Sequence, residues 1–65
     1  MSPSPAELAR FLSIAMGSAS ELEYHLLLAR DLEVLVKVDY ERLDGDVTEV
    51  KRMLTSLIQK LKADD

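Results

Sequence analysis

Glu21 and His25 stand four residues apart, a spacing that puts two side chains on one face of a helix. A carboxylate and an imidazole so placed can share a metal ion, and an assembly of two chains would double the pair. The rest of the sequence argues against that chemistry. His25 is the single histidine and there is no cysteine. Glu23 falls on a different face, and the Glu-x-x-His spacing of di-iron bundles is absent. No activated nucleophile accompanies His25, and Ser13, Ser18 and Ser20 carry no elbow or triad signature. Two glycines cannot build a phosphate-cradling loop. Tyr24 and Tyr40 read as amphipathic cover at an edge or a turn. The expectation is therefore a protein that is not an enzyme, with no metal site and no cofactor, in which His25 partners Glu21 at the surface.

The remaining candidates for chemistry are the cations Lys51, Arg52, Lys60 and Lys62, a possible contact for RNA. Twelve acidic residues outnumber eight basic ones, and the formal net charge is −4. That balance opposes nucleic-acid binding by bulk electrostatics. Glu49 and the terminal Asp64 and Asp65 interrupt the stripe. Cations late in a helix also suit its macrodipole, and a solvated face is the expected reading. The longest uncharged run, Phe11 to Ser20, is too short to span a bilayer. Met1-Ser2-Pro3-Ser4-Pro5 does not resemble a secretory leader. With no cysteine to oxidise, a cytoplasmic location is expected.

These residues must be positioned by helices. A chain of 65 residues is at most one small domain. Ser4-Pro5-Ala6-Glu7 reads as a capping box, with Ser4 at the N-cap, Pro5 at the first helical position and Glu7 reaching back. Leu8, Leu12, Ala15, Ala19, Leu22, Leu26 and Ala29 then recur at intervals of four and three, a heptad seam that no strand could place on one face. A second seam runs Tyr40, Leu43, Val47, Val50, Leu54, Leu57, Leu61, flanked by Met53 and Ile58. Its phase is unbroken across Asp44-Gly45-Asp46, which predicts one continuous helix there. Asp39 is the expected N-cap of that second helix, with Tyr40 the first helical residue. The spacing predicts an all-α chain: a two-helix antiparallel hairpin, helix A over about 5–35 and helix B over about 38–62, with fraying at Ala63-Asp64-Asp65.

Helix A has more apolar residues than one neighbour can cover. Phe11, Ile14, Met16, Leu27, Leu28, Leu32 and Leu35 all lie off its seam, and a helix apolar over so much of its girth is buried by more than one partner. Gly17, on one face with Ser13, predicts the close approach of another helix. A lone hairpin also buries little surface for its length. The expectation is a homo-oligomer, with a dimer favoured, in which two hairpins complete a four-helix bundle through these residues; a different protein partner is a further option.

Arg10-Phe11-Leu12-Ser13-Ile14-Ala15-Met16-Gly17-Ser18, followed by Glu21-Leu22-Glu23 and Leu26-Leu27-Leu28-Ala29, resembles the third helix of the bacterial four helix bundle protein family. That family is also called S23 ribosomal protein or 23S rRNA intervening-sequence protein. Tyr40-Glu41-Arg42-Leu43 and Val50-Lys51-Arg52-Met53-Leu54-Thr55-Ser56-Leu57-Ile58 resemble its fourth helix. The resemblance covers Ser4 to Lys62, and the Arg-Phe-Leu block is not a generic leucine pattern. Members are typically about twice this length, and many form rings. The resemblance implies helical architecture and no established enzymatic activity. It also implies a second possible role, as an accessory factor that contacts RNA or a reverse transcriptase through a basic pore. This chain departs from the family in lacking its first two helices and the glycine-containing segment before the third, in the turn Leu32-Glu33-Val34-Leu35-Val36-Lys37, and in its acidic charge.

Overall fold

The computed structural model describes residues 2–63, which form two helices, α1 (Pro5–Asp31) and α2 (Lys37–Ala63). Of the end expected to fray, Ala63 is the last helical residue, and Asp64 and Asp65 lie outside the described residues. Each helix has 27 residues, about 40 Å at 1.5 Å per residue, and the molecule measures 45 × 17 × 15 Å. Glu23 near the middle of α1 reaches Lys51 on α2, and Arg30 near the end of α1 lies over Tyr40 near the start of α2. These contacts fix an antiparallel hairpin.

The start of α1 follows the capping chemistry read from the sequence. The Glu7 backbone N–H donates to Ser4 Oγ at 3.1 Å, and the Ser4 N–H donates to Glu7 Oε1 at 3.3 Å. One turn further on, Ser13 Oγ donates back to the Ala9 carbonyl at 2.9 Å, so its hydroxyl is spent locally.

The end of α1 differs from expectation. The helix stops at Asp31 rather than near Leu35. Leu32 closes it, Glu33 takes a left-handed conformation with φ 60°, and two reverse hydrogen bonds form: Glu33 N–H to the Arg30 carbonyl (3.0 Å) and Val34 N–H to the Ala29 carbonyl (2.9 Å). This is a Schellman motif. It was hidden in the sequence because glutamate occupies the position where glycine usually announces it. The second correction is at the start of α2. Tyr40 N–H donates to the Val36 carbonyl at 2.9 Å, so Val36, not Asp39, flanks the helix. Asp39 lies in the first turn, where its charge suits the macrodipole. Through Asp44-Gly45-Asp46 the helix is continuous, as the heptad phase predicted.

Candidate interaction surface

In a two-helix hairpin, the side chains that lose most solvent are those facing the other helix. In α1 the buried or half-buried residues include Ala9, Leu12, Met16, Ala19, Glu23 and Leu26; in α2 they include Tyr40, Asp44, Val47, Lys51, Leu54, Ile58 and Leu61. Half of each predicted seam is there: Leu12, Ala19 and Leu26, with Tyr40, Val47, Leu54 and Leu61. The other half has moved on by one residue in both helices. Ala9, Met16 and Glu23 take the places expected for Leu8, Ala15 and Leu22. Asp44, Lys51 and Ile58 do the same for Leu43, Val50 and Leu57, although Ala15, Ala29 and Leu43 stay half-buried at the margin.

Moving one of two seam positions by one residue turns each helix by about 50°, half of the 100° per residue of an α-helix. The helices are antiparallel, so a turn in the same sense about each axis throws the displaced residues to the same side of the hairpin. That side carries Leu8, Phe11 and Leu22 from α1 and Val50, Met53 and Leu57 from α2. All six are exposed, with Phe11 at 54%, Leu22 at 47% and Met53 at 60%. The opposite side carries Ser13 and Ser20 from α1 and Glu41, Thr48, Thr55 and Lys62 from α2, with Tyr24 and Leu27 as its large apolar side chains, while Ile14 and Leu28 lie exposed on the back of α1, away from α2. The hairpin is two-faced: one flank mainly polar, the other apolar along most of its length.

Glu23 and Lys51 meet in the off-centre seam. Lys51 Nζ lies 2.7 Å from Glu23 Oε1, both side chains about 30% exposed. A second cross-helix contact puts the Arg30 guanidinium 4.7 Å from the centre of the Tyr40 ring, within cation–π range.

Gly17 does not meet α2. A Cβ added there finds nothing within 4 Å, because the residue faces away from the seam, in an open groove with Ile14, Ser18, Glu21, Leu22 and His25. Whatever close approach it permits is not made inside the hairpin. In that groove His25 Nε2 and Glu21 Oε1 are 3.7 Å apart and both exposed. Among the described residues, no three His, Cys, Asp or Glu side chains converge as metal ligands.

The cations do not form a stripe. Lys51 is held in the seam by Glu23. Arg52 lines a groove on the outside of α2 with Glu49, Met53, Ser56 and Leu57. Helical geometry turns Lys62 to the polar flank and Lys60 to the apolar flank. The sequence marked Lys51 as a candidate RNA contact and gave Glu23 no role. The signal for their pairing was present: each charge sits one residue beyond a seam position, at matching levels of the two heptad series.

No described helix is long and apolar enough to cross a membrane. No curated protein and no solved structure matches the chain. One family profile does match, over residues 1–56, all of α1 and most of α2. The stretches between Arg10 and Leu43 that carried the resemblance in the sequence fall within that match, and Val50–Ile58 falls within it as far as Ser56; the chain belongs to the 23S rRNA-intervening sequence protein family.

Proposed function

We propose that this protein is a non-enzymatic helical interaction module, a cytoplasmic scaffold that works by pairing its apolar flank with further helices, in the first instance those of another copy. The observation that carries this reading is the one-sided partition of the hairpin surface. A monomer with no partner has no use for Phe11, Leu22, Val50, Met53 and Leu57 on one side while serines and threonines occupy the other. Exposed apolar residues scattered singly would call for no explanation; here they are continuous across two helices.

Sedimentation equilibrium at micromolar concentration tests the proposal. The expected result is a species of at least twice the 7.3 kDa chain mass. A single folded species of 7.3 kDa across the micromolar range would overturn it.

A role as an accessory factor for RNA or a reverse-transcriptase-type partner draws less support. Lys51 is engaged with Glu23, Arg52, Lys60 and Lys62 diverge, and the net charge is −4. A gel shift with structured RNA at low salt would revive that reading.

A further inference from the structure

The geometry points to a specific mode of self-association: two hairpins meet apolar flank to apolar flank, with α1 of each lying antiparallel against α2 of the other and both turns at the same end. This inference rests on the proposed self-association and specifies its surface. The first support is area. The chain exposes 5099 Å², whereas a compact monomer of 7.3 kDa exposes about 4,200 Å². The surplus, about 900 Å² over the whole elongated surface, is enough to supply the ~800 Å² that each partner contributes to a stable interface.

The second support is periodicity. Beside the seam used inside the hairpin, α1 carries another at Leu8, Phe11, Ala15, Ser18, Leu22 and His25, alternating by three and four. In α2 the matching series is Leu43, Asp46, Val50, Met53, Leu57 and Lys60. Each series is centred roughly 90° around its helix from the occupied seam, the direction of the second neighbour in a square bundle.

The third support is complementarity, which selects the pairing. The α1 series is small in the middle, at Ala15 and Ser18, where the α2 series is large, at Met53 and Leu57. Facing α1 with α2 interdigitates large with small, whereas facing α1 with α1 would set small against small and leave a gap. At the register of the hairpin, the same pairing brings His25 level with Asp46 of the second copy, and lays the Lys60 stem of the second copy beside Phe11.

Single cysteines test this, since the chain has none of its own. Ser18→Cys and Leu57→Cys chains are oxidised separately and as an equimolar mixture, then run on a non-reducing gel. The expected result is a covalent dimer from the mixture and little from either variant alone, because identical residues lie on diagonal helices. Cross-linking of each variant alone, with none added by mixing, would overturn this pairing while leaving self-association intact. A wild-type chain that sediments as a monomer would overturn both. Leu22→Glu and Met53→Glu are the second measurement. Both residues are exposed in the single hairpin, so helical content by circular dichroism should persist. Self-association should weaken on the order of a hundredfold or more, since each charge would be buried without a partner. Thr48→Glu and Thr55→Glu, on the polar flank, should leave it unchanged. The reverse pattern would overturn the assignment of the face.

Discussion

Glu23 and Lys51 meet across the hairpin at 2.7 Å, in seam positions where the heptads offer Leu22 and Val50 one residue earlier. The pair sits where two helices with nothing else to contact would put leucine against valine. With this ion pair in the seam, the hairpin closes on the edge of its apolar surface instead of the centre. The centre is thereby left open toward one side, which is what a helix pair with two more neighbours needs.

Replacing either partner alone should leave the other charge half-buried and unsatisfied. Lys51→Ala is expected to destabilise the chain by about 1–2 kcal/mol. The double change Glu23→Leu with Lys51→Leu should be neutral or stabilising, because apolar packing replaces both desolvated ions. Urea denaturation of the wild type, both single variants and the double variant at one fixed concentration gives the coupling energy. Strictly additive effects would sink the claim that these two residues interact.

Glu33 holds a left-handed conformation that costs a side-chain-bearing residue about 1–2 kcal/mol relative to glycine, part of which glycine returns as lost unfolded-chain freedom. Glu33→Gly should therefore stabilise the hairpin by about 0.5–1 kcal/mol, and Glu33→Val should destabilise it by a similar amount or more. A thermal melt of the two variants checks the sign. Stabilisation by valine would mean that the turn does not form as described.

Gly17 and Gly45 are helical, and an added Cβ at either meets nothing within 4 Å. Gly17→Ala and Gly45→Ala should each raise stability by roughly 0.5–1 kcal/mol through helix propensity alone. The comparison between them carries information. If alanine helps at position 45 but weakens the assembly at position 17, another chain approaches α1 at Gly17, and the groove beside His25 belongs to an interface.

Ser4 accepts from the Glu7 amide while Glu7 accepts from the Ser4 amide. Ser4→Ala should cost about 1 kcal/mol, with Ser4→Asp close to neutral. Hydrogen exchange at the first turn of α1 would report the loss as faster exchange confined to that turn; no change there would argue against the capping box.

The sequence by itself determined the helices, their antiparallel pairing and the start of α1, because those features follow from local terms: heptad spacing, a reciprocal cap at Ser4 and Glu7, and an uninterrupted phase through Gly45. It also showed that α1 carries more apolar surface than one neighbour covers. It could not locate the end of α1, since the left-handed Glu33 is chosen by the closure of the turn and not by its own preference. Nor could it choose between neighbouring seams. The series through Leu22 and Val50 and the series through Glu23 and Lys51 are one residue apart on their helices, and periodicity alone favours the greasier one. Only the tertiary structure decided that point, because the contact between Glu23 and Lys51 exists only after α2 has folded back on α1. The same rotation that brings these two together turns the apolar seam residues of both helices toward one common side.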